Sequence, residues 1–191
     1  FDRDTRSLMY RRAKNVQDKK PFGTELDVYE AGYTWLSHSI APRPMAEHPE
    51  DDMRVTIGGP DCTQPYDSSV LNISAMSFGA LGGAAVRAMN TGAKAGGFAH
   101  DTGEGGISRY HRESGGDLIW QIGTGYFGCR TREGDFDPDL FAQNAADPQV
   151  KMIEIKVSQG AKPGHGGILP AAKVTEEIAE ARLVPVGQDV F

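Results

Sequence analysis

The chain has 191 residues, 39% apolar and 24% charged, the balance of an ordinary globular protein long enough to bury a sizeable core. Its net charge of −6, with no basic face to offset it, excludes nucleic acid as a main partner. No run of 18 apolar residues is present, and Cys62 and Cys129 lie too far apart for a disulfide framework or a metal-spaced pair. Idle or buried thiols in a reducing, cytoplasmic setting are therefore expected. The chain begins with Phe1 rather than Met, which leaves room for a lost N-terminal segment, a membrane anchor included.

Residues 1–68 read as an irregular lead that packs on the domain following it. Arg11, Arg12, Lys14, Lys19 and Lys20 make its start basic, and Pro42, Pro44, Pro49, Pro60 and Pro65 rule out a long helix before Asp67. Met53–Ile57 alternates and stops at Gly58, as a small strand would. From Val70 the chain becomes regular, with apolar strand candidates at 70–76, 97–100, 118–122 and 150–157. Their starts recur roughly every 20 to 30 residues, the repeat of a βα unit. Between them Ala85, Met89 and Ala93 recur at helical spacing and stop at Gly96-Gly97. Asp137-Pro138 caps a helix over Asp139–Ala146, and Thr175 opens another that turns Ile178 and Ala181 inward. Alternating strands and helices predict an α/β fold with a parallel sheet.

Three segments lie where apolar strands stop in small or polar residues. They are Ile73-Ser74-Ala75-Met76-Ser77-Phe78-Gly79-Ala80-Leu81, Asp101-Thr102-Gly103-Glu104-Gly105-Gly106 and Ile155-Lys156-Val157-Ser158-Gln159-Gly160-Ala161-Lys162-Pro163-Gly164. Together they resemble the FMN-binding glutamate synthase family, in particular stand-alone proteins related to the synthase domain of the large subunit. The resemblance runs from about Tyr33 to the end. It implies a (β/α)8 TIM barrel, which needs about 250 residues. Residues 69–191 would then be its N-terminal half, truncated before the strands that carry the phosphate site, with a further strand expected at Val186–Phe191.

In such a barrel the active site lies at the C-terminal ends of the strands. The resemblance implies that Ala75, Met76 and Ser77 run their backbone beneath the isoalloxazine, where only small residues fit; a buried strand end beside a glycine turn is the plainer alternative. Thr102 and Glu104 supply polar contacts from a glycine-rich loop. Glutamate synthases carry Ser-Asn where this chain has His100-Asp101, a departure that bears on the substrate; His100 otherwise reads as a partly buried, hydrogen-bonded histidine. Gln121 would address the flavin pyrimidine edge, because one amide both donates and accepts. Gly125 joins the flavin contacts from the loop after it. Gly123–Gly128 formally matches GxGxxG, but polar residues follow up to Pro138 where a dinucleotide-binding fold needs a helix, and that reading is rejected. Met152, Ile153, Ile155 and Val157 describe a buried strand interrupted by Lys156, which needs a counter-charge or solvent. A cation there would stabilise the reduced flavin. Gln159 and Lys162 would hold a carboxylate substrate, and His165 replaces the glutamate usual after Lys-Pro-Gly. His111 and Glu113 lack a third ligand and read as a solvated loop, so no metal site is expected; His38 and Asp51-Asp52 have no evident partners.

The implied activity is an FMN-dependent oxidoreductase, with Lys156, Gln159, Lys162 and Glu104 as its catalytic residues. It would carry out the reductive amination of 2-oxoglutarate or a related 2-oxo acid. The chain shows no amidotransferase domain, so ammonia or a partner subunit would supply nitrogen. Electrons would come from a donor protein or an iron–sulfur cluster whose cysteines fall beyond Phe191. A homo-oligomer is compatible with all of this. An FMN barrel with other oxidoreductase or isomerase chemistry, and a non-catalytic fragment, are the alternatives.

Overall fold

A computed structural model of the chain describes residues 2–16, 27–37, 40–41, 53–158 and 167–190. Two compact units divide at residue 45, Phe1–Met45 and Ala46–Phe191. In the first, α1 (Arg3–Ala13) corrects the irregular reading of the lead. Asp2 caps it, accepting from the Thr5 amide at 2.7 Å, and Arg11 and Arg12 in the last turn complement the helix dipole. No α1 residue is buried, so apolar periodicity could not announce it.

The second unit opens with a hairpin, β1 (Arg54–Ile57) antiparallel to β2 (Tyr66–Ser69). The alternation at 53–57 is legible. In β2 the sequence Tyr-Asp-Ser-Ser carries no apolar pattern, and pairing to β1 alone makes it a strand.

The main sheet contains β3 (His100–Asp101), β4 (Leu118–Ile122) and β5 (Val150–Ile155), all parallel and in sequence order. The expected strand at 70–76 is reduced to one parallel bridge. Ile73 donates to Ala99 at 2.8 Å and accepts from Asp101 at 2.9 Å. The parallel α/β class therefore stands, and no closed barrel is seen among the described residues.

The connecting helices are α2 (Gly83–Gly96), α3 (Arg109–Arg112), α4 (Pro138–Ala145) and α5 (Glu176–Arg182). Gly97, at φ +66°, ends α2 in the left-handed conformation that glycine adopts most cheaply. Its buried stripe is Val86, Asn90 and Ala93, so Ala93 of the expected spacing is buried, while Met89 is 39% exposed and Asn90 takes its place. The polar Asn90 turns inward because its amide exchanges hydrogen bonds with the Gly116 backbone before β4. Asp137 caps α4, accepting from the amides of Asp139 and Leu140 at 3.0 Å each, with Pro138 at the first helical position.

Phe78, Val86, Phe127, Leu169, Val174 and Ile178 form one core cluster, and Trp120, Ile122 and Cys129 another, with Phe141 of α4 packed on it. β5 is less buried than its composition suggests. Ile153 and Ile155 are 39% and 64% exposed, and Val157 just past the strand is 87% exposed, because β5 edges the sheet among the described strands. The strand expected at 186–191 is replaced by an antiparallel bridge between Val190 and Leu169. No described helix is long and apolar enough to cross a membrane.

Candidate functional site

Alternation divides the sheet into two chemically different faces. Trp120 and Ile122 of β4 point toward α4 and the apolar cluster. Gln121 points the other way, and its Nε2 donates to the Glu154 carboxylate, its register partner on β5. Asp101 of β3 shares this polar face, in register with Ile119 of β4, and burial first, with the Glu154 charge adding, raises its carboxyl to about 6. Lys156 extends the β4–β5 ladder by one rung, donating its amide to the Ile122 carbonyl at 2.9 Å. Its ammonium lies 3.3 Å from Glu104 Oε1, so the expected counter-charge is present.

Glycines allow the loops to close on this face. A Cβ on Gly103 would lie 2.6 Å from the Ser77 nitrogen, and one on Gly123 would lie 3.0 Å from Glu104 Oε2. Met76 donates its amide to the Asp101 carbonyl at 3.2 Å. The C-terminal ends of three strands and the preceding loop thus bring together Met76, Ser77, Asp101, Glu104, Gln121 and Lys156. Ala75 is exposed at the same loop. Thr102 is fully buried; its hydroxyl donates to the Gly103 carbonyl at 2.9 Å and accepts from the Gln121 backbone N–H at 3.1 Å, so it braces the loop. Gly125 gives its carbonyl to Arg130 at 3.1 Å and lets the Phe127 ring approach, a local structural use. Gln159, Lys162 and His165 lie outside the described residues, as do His38, Asp51 and Asp52. The loop Gly123–Gly128 makes turns, and no helix begins between it and Pro138, in keeping with rejection of the dinucleotide motif.

Two histidines behave unlike the sequence reading. His111 is fully buried rather than in a solvated loop. Its Nδ1 accepts from the Ser108 amide at 3.1 Å, so the proton sits on Nε2, which donates to the Met76 carbonyl at 3.1 Å. His111 thereby ties α3 to the loop beneath Ser77. Glu113 instead pairs with Arg87 at 2.5 Å. His100 is buried too, yet neither ring nitrogen has a partner among the described residues, and its ring lies 5.3 Å from that of His111. Burial lowers both imidazoles to about 4, so both are neutral at ordinary pH.

Two further residues escaped the sequence reading. Glu154 carried a usable signal, since it alternates with Lys156 along an apolar strand and must share its face. Arg182 carried none; it reads as a basic residue ending a helix. It is only 6% exposed, donates to the Phe78 carbonyl at 2.9 Å and lies over the Phe127 ring at 5.1 Å. Among the described residues no three His, Cys, Asp or Glu side chains gather as a metal-ligating group.

The model of a conserved region in glutamate synthase matches residues 53–191, which include every element of this site. The chain belongs to the glutamate synthase family. A glutamate synthase large subunit-like protein, YerD, of Bacillus subtilis is 44% identical over 153 residues, covering 79% of this chain and 29% of that protein. A glutamate synthase large subunit-like protein of Rhizobium meliloti is 31% identical over 181 residues, 93% of this chain and 38% of its own length. An archaeal-type glutamate synthase [NADPH] of Thermotoga maritima is 39% identical over 118 residues, covering 62% of this chain and 21% of its own. The chain therefore spans between a fifth and two-fifths of the length of these relatives.

The flavin associated with glutamate synthases can be tested against the residues present. The polar face offers an ammonium at Lys156 and a primary amide at Gln121, and the neighbouring loop offers an exposed Ala75 with no bulky side chain. A cation, a two-way hydrogen-bonding amide and a low wall are the donor set that a flat, electron-accepting ring with an N–H and two carbonyls requires. The residues fit the group.

Proposed function

We propose that this chain is the first half of a (β/α)8 barrel that binds FMN, and that the protein to which it belongs carries out the reductive amination of a 2-oxo acid. The barrel reading is supported by parallel strands in unbroken sequence order, from the bridge at Ile73 through β3 and β4 to β5. A doubly wound sheet reverses its order at a switch point. The observation that carries the functional reading is the Lys156–Glu104 ion pair at 3.3 Å, on the same sheet face as the Gln121 amide.

Lys156 and Gln121 would hold the pyrimidine edge of FMN, with Ala75, Met76 and Ser77 beneath the ring. When bound, FMN supplies the hydride. Glu104 keeps the Lys156 ammonium oriented and locally neutralised, so that a charge held partly out of water is compensated. Gln159 and Lys162 would receive the substrate carboxylate. Nitrogen as ammonia and electrons from a donor protein or an iron–sulfur cluster would come from other parts or partners of the protein.

A second reading keeps the flavin but changes the substrate. Asp101, Glu154 and Glu104 place three carboxyl groups on or beside one face against one described ammonium, which disfavours a dianionic oxo acid close to Asp101. FMN chemistry on a less acidic substrate, including isomerisation, would suit that field better.

The visible spectrum of the purified protein and its titration with FMN test the flavin. Oxidised-flavin absorbance that is lost in Lys156→Met supports the proposal. A folded, colourless protein that takes up no FMN would sink it. Turnover of 2-oxoglutarate with ammonia and reduced flavin, compared with neutral substrates, then separates the two readings.

A further inference from the structure

His111 is the third residue of α3 after the N-cap Ser108, a place where a capping box ordinarily carries Glu or Gln. Here the imidazole takes that role. Its Nδ1 accepts from the Ser108 backbone N–H at 3.1 Å and lies 2.9 Å from the Ser108 hydroxyl. With Nδ1 accepting, the ring proton is on Nε2, which donates to the Met76 carbonyl at 3.1 Å. The ring is fully buried and the His100 ring packs on it at 5.3 Å, so water cannot replace it at that carbonyl. From the other side, the Met76 N–H donates to the Asp101 carbonyl at 3.2 Å. Both polar backbone groups of Met76 are therefore fixed, one by α3 and one by β3. A trans peptide points its carbonyl and its N–H in opposite directions. Holding the Met76 carbonyl toward α3 thus turns the Ser77 N–H away from α3, and that N–H meets no acceptor among the described residues.

We propose that His111 is a positioning residue for the flavin site: it sets the direction of the Met76–Ser77 peptide and so keeps the Ser77 N–H available to the ligand. This functional consequence rests on the flavin reading, which lays the ring along Ala75–Ser77. The two ring nitrogens do separable work. Nδ1 serves the helix cap, which bears on stability, whereas Nε2 serves the peptide. An Asn side chain places an acceptor near the Nδ1 position and nothing at Nε2, and a Gln side chain places an NH2 near the Nε2 position. His111→Asn therefore keeps the cap and frees the Met76 carbonyl. His111→Gln keeps the donor to Met76 and loosens the cap.

The test labels the ligand-free protein with [13C-carbonyl]Met and [15N]Ser. Met76-Ser77 is the single Met-Ser pair in the 191 residues, so this chain gives one NMR correlation, and it reports on the peptide in question. That correlation should move in His111→Asn and stay near its wild-type position in His111→Gln. FMN affinity should fall about tenfold in His111→Asn, the order of one hydrogen bond, and by less than about twofold in His111→Gln, even where the melt shows the Gln variant to be the less stable. A purely structural role makes affinity follow Tm instead. Equal losses of affinity in the two variants, a larger loss in His111→Gln, or an unmoved correlation in His111→Asn overturns the proposal. The wild type supplies a check that needs no variant to fold: the 15N shifts of the His111 ring should place the proton on Nε2, and a proton on Nδ1 overturns the proposal as well. A wild type that binds no FMN sinks the flavin reading alone, since the ligand-free correlation still decides whether His111 positions the peptide.

Discussion

Arg182 Nη2 donates to the Phe78 carbonyl at 2.9 Å, joining the last turn of α5 to the loop that precedes α2. The guanidinium is packed where a Cβ on Gly105 would lie 2.8 Å and one on Gly79 3.1 Å from it, and Phe127 covers it from the loop after β4. One side chain thus pins three of the loops that form the polar rim. Arg182→Met should leave the buried Phe78 carbonyl unpaired and cost about 1–3 kcal/mol. Urea denaturation checks this. A midpoint shift with unchanged slope is expected, whereas a change below about half a kcal/mol would mean the guanidinium is incidental.

Gly103 and Gly115 allow a controlled test of loop closure. Both have positive φ, +66° and +67°, but a Cβ on Gly103 meets the Ser77 nitrogen at 2.6 Å and one on Gly115 meets nothing within 4 Å. Alanine at Gly115 should cost only the left-handed penalty of about 1–2 kcal/mol. Gly103→Ala should cost that plus the displacement of the 75–77 backbone. Thermal melts of the two variants side by side are expected to show a larger fall in Tm for Gly103→Ala, together with weakened FMN binding.

The buried ionisable groups predict opposing pH effects. His100 and His111 are lowered to about 4, by burial first, with the His100 and Arg112 charges adding at His111 against the hydrogen bond to Met76. The folded state thus binds fewer protons than the unfolded chain. The stability from these groups is complete above the unfolded value of about 6.5 and is lost as pH falls toward 4. Asp101 is raised to about 6, so its penalty is complete above that pH and is relieved as pH falls toward 3.8. Denaturant midpoints between pH 7.5 and 4.5 should therefore fall on acidification. The fall should be shallower in His100→Leu, which removes a ring without hydrogen-bond partners, and steeper in Asp101→Asn, which removes the opposing gain.

The Lys156–Glu104 pair should matter more for ligand than for stability. The side chains are 27% and 28% exposed, and such half-solvated pairs contribute about 0.2–1 kcal/mol. Lys156→Met and Glu104→Gln should each change folding stability by no more than about 1 kcal/mol. Lys156→Met should weaken FMN at least about tenfold, as expected for loss of a charged hydrogen-bond donor. A double-mutant cycle on FMN affinity should show the two effects to be non-additive. Additive losses would mean that Glu104 serves the site independently of Lys156.

Legibility followed the range of the interactions. β4 lay where its apolar run and the following glycine placed it, and α4 began at its Asp-Pro cap, because those signals act within a few residues. The strand at 70–76 shrank to the Ile73 bridge, and Met89 gave up its buried place to Asn90, because the backbone of Gly116 needed a partner 26 residues away. In the site, a charge interrupting an apolar strand sufficed to single out Lys156. Its partner Glu104 was named for a loop contact, and only the folded chain brings the two within 3.3 Å.

The sequence alone determined the class of fold, the family and the strand ends at which polar residues follow the apolar runs. Strand periodicity, glycine turns and helix caps are local and survive without coordinates. The tertiary structure decided which of those residues touch. It turned His111 from a loop residue into a buried brace, made Arg182 a pin between loops, and set the Gln121 side-chain amide against the Glu154 carboxylate across β4 and β5. Each of these outcomes depends on burial, which removes water as an alternative partner. Burial is a property of the packed chain and of no single segment within it.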